Sequence, residues 1–133
     1  MSEEVPWERL FEAASKAREN AWAPYSHFPV GAAVLTESGI YSGANVENSS
    51  YGLSVCAERN AIGRAVGEGA RKVKAVAIVT NADAPCPPCG MCRQVITEFA
   101  EPGTPVRSRS PDGREAQYTL KELLPHAFTR EFL

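Results

Sequence analysis

The segment from Val73 to Thr80, Val-Lys-Ala-Val-Ala-Ile-Val-Thr, constrains this chain more than any other. It is too short for a helix and apolar on both faces. A strand of that kind has to be covered on both sides, which places it in the middle of a sheet. The rest of the chain supplies neighbours and covers. Pro29 to Thr36 and Ile40 to Val46 read as two strands joined at Glu37-Ser38-Gly39, a hairpin. Short strands are expected at 105–109 and 115–119, around the turn Pro111-Asp112-Gly113. Apolar residues at helical spacing predict an amphipathic helix over about 6–22, with Pro6 in its first turn and Pro24 beyond its end. A second helix is expected from Cys56 to Val66, with Ala57, Ala61, Ile62 and Ala65 facing a core, and a third from Cys89 to Ala100. Thr119 is placed to cap a short last helix. The order αββαβαββα describes an α/β chain with one sheet covered by helices. No repeat, linker or low-complexity tract interrupts it, so residues 1–133 are expected to form a single domain.

Composition narrows the function. Fourteen basic residues against sixteen acidic ones leave a net charge of −2, which argues against a nucleic-acid partner or an anionic membrane surface. No apolar run approaches the ~20 residues that cross a bilayer. The start Met1-Ser2-Glu3-Glu4 is acidic and lacks the basic and apolar stretches of a signal peptide, so a cytoplasmic location is expected. A chain of 133 residues does not readily enclose a deep pocket by itself, so a subunit interface is expected to help build one.

Four cysteines carry the chemistry: Cys56, and the cluster Cys86-Pro-Pro-Cys89-Gly-Met-Cys92. In a reducing compartment this spacing reads as metal-binding or redox-active. Cys56 and Cys89 each open a predicted helix, and Cys92 faces the same way as Cys89 on the first turn. If the two helix starts converge, three sulfurs meet at the positive ends of two helix dipoles, which favour thiolate. Three sulfurs select zinc. Three protein ligands leave a fourth position for water, as in a catalytic site; recruitment of Cys86 would close the site and make it structural. Glu58, two residues after Cys56, favours the open site, because a carboxylate there can move a proton between water and substrate nitrogen. Zinc with three thiolates is net negative, and Arg59 is placed to offset this by donating to the ligand sulfurs, with Arg93 a weaker candidate. Read without further context, Glu58 would be a solvated helix residue, Arg59 a partner in a surface ion pair, Asn45 and Glu47 loop residues, and Phe28 and Phe128 core aromatics. His27 and His126 read as surface residues. Trp7, Trp22, Phe11 and Phe99 read as core or interface.

In these residues the chain resembles the zinc-dependent deaminases of nucleosides and nucleobases, whose signature H-x-E…P-C-x-x-C takes the form Cys56-Ala57-Glu58 and Pro88-Cys89-Gly90-Met91-Cys92 here. Cysteine in place of histidine is similar to the small cytidine deaminases. Further matches are Phe28-Pro29-Val30-Gly31-Ala32-Ala33, Asn45-Val46-Glu47-Asn48, Ser50-Tyr51-Gly52 and Leu123-Leu124-Pro125. The resemblance implies a three-layer α/β/α sandwich with a mixed, roughly five-stranded sheet. It implies hydrolysis of free cytidine and deoxycytidine to uridine and deoxyuridine with release of ammonia, in pyrimidine salvage. One Zn2+ per chain would sit on Cys56, Cys89 and Cys92, with Glu58 as proton shuttle. It further implies that Asn45 and Glu47 grip the sugar, that Phe28 packs near the base, and that backbone groups around Ala57 and Pro88 meet the pyrimidine edge. Tyr51 and Phe128 would act at contacts between subunits of a homotetramer with shared sites. Cys86, and Met91 where the family often has a smaller residue, depart from the pattern. The alternatives are a deaminase of a modified, blasticidin-type nucleoside, whose known members lack the glutamate matching Glu47, and a closed structural zinc module.

Overall fold

The computed structural model describes residues 4–133; the acidic start at residues 1–3 lies outside them. Five strands form one mixed sheet: β1 (Gly31–Thr36), β2 (Gly39–Ala44), β3 (Val73–Val79), β4 (Pro105–Arg109) and β5 (Glu115–Thr119). Their order is β2-β1-β3-β4-β5. The pair β3–β4 is parallel, and the others are antiparallel. The central, doubly apolar strand is therefore β3, as its sequence requires.

Four helices cover the sheet: α1 (Trp7–Arg18), α2 (Ala57–Gly67), α3 (Gly90–Phe99) and α4 (Leu120–Leu123). Leu10, Phe11 and Ala14 of α1 pack on Ala33, Ala75, Ala77 and Val79 on one face. On the other face, Ala32, Val34, Val76, Ile78 and Val106 meet α2, α3 and α4 through Ala61, Ile62, Ile96, Leu120 and Leu123. This is the three-layer sandwich. Thr119 caps α4 in a capping box with Glu122. Among the described residues no helix is long and apolar enough to cross a membrane.

Two glycines set how closely the layers approach. A Cβ on Gly31 would lie 1.9 Å from the Ala14 carbonyl oxygen of α1, and one on Gly43 would lie 2.5 Å from the Ala61 amide nitrogen of α2. At Gly43 the helix rests directly on the strand backbone, and Asn60 Nδ2 donates to the Ala44 carbonyl at 2.8 Å. These contacts fix the N-terminal end of α2, and with it Cys56.

The first helix is shorter than its apolar period suggests. It ends at Arg18, and the chain then leaves the helical path. The Trp22 amide donates to the Asn45 carbonyl at 3.0 Å, and the Glu47 amide donates to the Trp22 carbonyl at 2.8 Å. Long-range pairing thus takes the backbone groups that another helical turn would have used. Trp22 is 59% exposed within the chain and does not belong to its core.

Candidate active site

Cys56 and Cys89 are the N-cap residues of α2 and α3, both with extended backbone and neither making a side-chain cap. The carbonyl of each accepts the first helical hydrogen bond, from Asn60 at 3.1 Å and from Arg93 at 3.0 Å. The two sulfurs are therefore free to face each other, 3.6 Å apart. Cys92, on the first turn of α3, brings a third sulfur, and all three lie within 4.8 Å of one another. Tetrahedral zinc, with Zn–S near 2.3 Å, sets its sulfurs roughly 3.8 Å apart, so the cluster fits that ion. Cys86 is not in the cluster. Cys86→Ser is accordingly expected to leave both zinc content and turnover unchanged, as read by metal analysis of the purified variant; loss of bound zinc would make Cys86 a ligand.

The sulfurs already share charge unevenly. Hydrogen bonding from Cys92, then from Cys89 and the Arg59 charge, lowers the Cys56 thiol to about 5, while Cys92 is held well above its usual range by the same pairing and by burial. Cys56 is the readiest thiolate, and a cation that draws in the other two removes the frustration among them. Arg59 lies against Cys56 and Cys92. Its Nη2 donates to the Ser54 carbonyl at 3.2 Å, and its Nε is buried without a partner. Its approach and its charge both favour the thiolate form of Cys56. Arg93 points elsewhere: Nε donates to the Pro88 carbonyl at 2.8 Å and Nη1 to the Leu123 carbonyl at 3.0 Å.

Glu58 occupies the first turn of α2 and is only 5% exposed. Burial pushes its carboxyl up to about 7, the Cys56 charge adds to the rise, and Arg59 and Cys92 oppose it. A carboxyl beside the sulfur cluster with an acidity near neutral can both take and give a proton. Ala57, fully buried, is the first residue of the same helix.

A cavity of about 310 Å³ is lined by Tyr25, Ser26, Glu47, Tyr51 and Ser54, the last of which accepts from Arg59 through its carbonyl. Glu47 Oε1 accepts from the amides of Tyr25 at 3.0 Å and Ser26 at 3.1 Å, and Oε2 accepts from the Ser26 hydroxyl. Asn45 Oδ1 accepts from the Val30 amide at 2.8 Å, and Nδ2 donates to the Phe28 carbonyl at 2.9 Å. The Asn45 amide therefore braces the Phe28–Val30 turn and keeps one N–H free. Tyr51, 75% exposed, tilts against Tyr25 with ring centroids 6.0 Å apart. Phe128, 60% exposed, stacks on Phe132, its carbonyl accepts from Gln94 at 2.9 Å, and it does not line this cavity. His27 and His126 are exposed. Tyr25, Ser26 and Ser54 were not among the residues that motif spacing singles out. Their one local signal is the turn-forming run Pro24-Tyr25-Ser26.

Comparison with known proteins agrees with this geometry. Residues 6–106 match the profile of the cytidine and deoxycytidylate deaminase zinc-binding region. A cytidine deaminase of Sporosarcina psychrophila is 49% identical over 95% of this chain and 93% of its own length. A probable cytidine deaminase of Dictyostelium discoideum is 42% identical over 95% of this chain and 86% of its own. The crystal structure of a cytidine deaminase from Burkholderia pseudomallei superposes with a TM-score of 0.88 at 44% identity, covering 93% of this chain and all (100%) of that one.

Proposed function

This chain belongs to the cytidine and deoxycytidylate deaminase family, and from that premise we propose how its residues divide the work of deaminating cytidine and deoxycytidine. The observation that carries the reading is the meeting of three cysteine sulfurs at two helix starts with a buried glutamate beside them. Cys56, Cys89 and Cys92 would hold one zinc per chain, which when bound would supply an acidified water and a positive charge for the oxygen that adds to the pyrimidine.

Glu58 would take a proton from the attacking water and place it on ring N3, making carbon 4 electrophilic. It then carries the second proton to the exocyclic amine, the C4–N bond breaks, and ammonia leaves. The Ala57 amide, one of the N–H groups that a helix start leaves unpaired, is aimed at the pyrimidine edge. Arg59 offsets the net negative charge of zinc with three thiolates. Glu47 has about four acceptor positions and uses three of them within the chain. The remaining one, on Oε2, accepts from a sugar hydroxyl, and the free N–H of Asn45 donates to the sugar. Tyr51 supplies an apolar wall to the cavity, and Phe28 packs near the base.

The same reading has the single domain, residues 1–133, work in the cytoplasm as a homotetramer. Trp22, Tyr51, Leu53, Phe128 and Phe132 expose large apolar surface, more than a lone chain of this size hides well. Phe128 does not line its own chain's cavity, and in this reading it closes a neighbour's. The test is direct. The purified protein should hold one zinc per chain and release ammonia from cytidine and deoxycytidine, but not from single-stranded DNA or a blasticidin-type nucleoside. Ammonia from the DNA strand, or none from cytidine, overturns the substrate assignment. Light scattering that finds an active monomer overturns the shared site.

A further inference from the structure

We propose that Ser26 is a positioning residue for nucleoside binding, because its side chain holds the Glu47 carboxylate and the Phe28 backbone in the orientation that presents both to the substrate. The proposal rests on the reading of Glu47 as the carboxylate that meets a sugar hydroxyl.

The hydrogen-bond count makes the assignment. A serine hydroxyl has one hydrogen and two lone pairs. The hydrogen goes to Glu47 Oε2, since a carboxylate only accepts. One lone pair receives the Phe28 amide at 3.1 Å. The Ser26 amide and the Tyr25 amide pin Oε1 at 3.1 Å and 3.0 Å. Oε1 is therefore saturated by backbone, while Oε2, the oxygen with a position left for substrate, is located by the Ser26 hydroxyl alone. Without that hydroxyl the carboxylate keeps its pivot at Oε1 and loses the restraint on Oε2. The terminal torsion of glutamate is broad and soft, so nothing else fixes the free lone pair in the cavity. The same contacts, led by the Ser26 hydroxyl, hold the Glu47 carboxyl below the usual carboxylate range.

The surrounding backbone is arranged around this serine. His27, between Ser26 and Phe28, has φ +57°, a left-handed conformation uncommon for a residue with a side chain. Its amide donates to the Ala23 carbonyl at 3.0 Å, and the Ser26 hydroxyl closes the turn from the other side. Ser26 thus links the side chain that meets the sugar to the backbone that carries the aromatic Phe28.

Ser26→Ala is the test, with cytidine and 2′,3′-dideoxycytidine as the two substrates. A charge-assisted hydrogen bond of this kind corresponds to about 10- to 100-fold in binding. For cytidine the variant should raise KM by about tenfold or more and keep kcat within about threefold. For the dideoxy analogue, which keeps only the 5′-hydroxyl and lacks the ring hydroxyls at 2′ and 3′ to which the Glu47 contact is assigned, the variant and the parent should be equal. Ser26→Thr, which keeps the hydroxyl, should restore most of the KM. Ser26→Cys, close in shape with a weaker donor, should behave like alanine and guards against a folding defect peculiar to one variant. An equal loss on both substrates would mean that Ser26 acts through Phe28 or the fold, and would overturn the proposal. So would an unchanged KM for cytidine. Glu47→Gln is run in parallel. If it leaves cytidine kinetics intact, the sugar assignment itself falls and the Ser26 proposal with it; if it impairs cytidine while Ser26→Ala does not, only the Ser26 proposal falls.

Discussion

Glu58→Gln is expected to bind zinc as the parent does and to lose about 10²- to 10⁴-fold in kcat for cytidine, the usual contribution of a positioned acid–base group. The glutamine keeps the shape of the buried side chain and cannot carry a proton. The sulfur cluster is untouched, so metal analysis should still return one ion per chain. Turnover at the parental rate would remove Glu58 from the mechanism. The same substitution should show a cost in stability that function imposes. In the metal-free chain the Glu58 carboxyl sits at about 7, against an ordinary value of 4.5. The folded state therefore binds its proton more tightly than the unfolded state. The penalty for ionising it is absent below about 4.5, grows between 4.5 and 7, and is complete above 7. It amounts to something on the order of 2–4 kcal/mol. Metal-free Glu58→Gln should accordingly be more stable than the metal-free parent at pH 8, and the difference should close by pH 4. A difference that does not change with pH would show that burial of the charge is not its cause.

Gly31→Ala is expected to cost about 3 kcal/mol or more, at the upper end of overpacking effects, with a fall of roughly 10 °C in melting temperature. The added methyl would meet the carbonyl oxygen of Ala14 at 1.9 Å and the amide of Arg18 at 2.8 Å, and both are backbone atoms that cannot rotate aside. Gly43→Ala should be comparable in stability and worse in activity. Its methyl pushes on Ala61 and Asn60, and so on the helix that carries Cys56 and Glu58. Gly63, also in α2, has nothing within 4 Å of the same added atom. Gly63→Ala should therefore raise stability by about 0.5–1 kcal/mol through helix propensity alone. Thermal unfolding of the three variants separates close approach from propensity. Equal effects at Gly43 and Gly63 would contradict the packing described for α2.

The sequence shows most where partners are local. The strands at 105–109 and 115–119 are visible to the residue, because Pro111-Asp112-Gly113 admits one kind of turn and Gly113 takes φ +89°. The sulfur cluster is visible for a related reason: Cys56 and Cys89 each mark a helix start, Cys92 follows one turn on, and helix starts have a direction. The apolar period runs past the end of the first helix because Ala21 and Trp22 continue it, while the groups that pair with Trp22, on Asn45 and Glu47, are more than twenty residues away. Ser26 was invisible on the same ground. Its partner Glu47 is 21 residues on, and a lone serine in a proline-containing loop carries no periodic signal. Spacing also cannot tell which lone pairs are already in use. It marks Asn45 and Glu47 as polar residues near a site, but not that backbone amides occupy three of four carboxylate positions.

Neither of the helices that open on cysteine has the oxygen-bearing residue that ordinarily terminates such a helix. A serine or aspartate at position 56 or 89 would contribute about 1 kcal/mol by bonding the first amides, and this chain forgoes it twice. With zinc bound, chelation would take over the task of holding two helix ends in place. A descendant that no longer needed the reaction would have a short route to remaining folded without metal: one substitution at each of these positions would exchange a ligand for a cap.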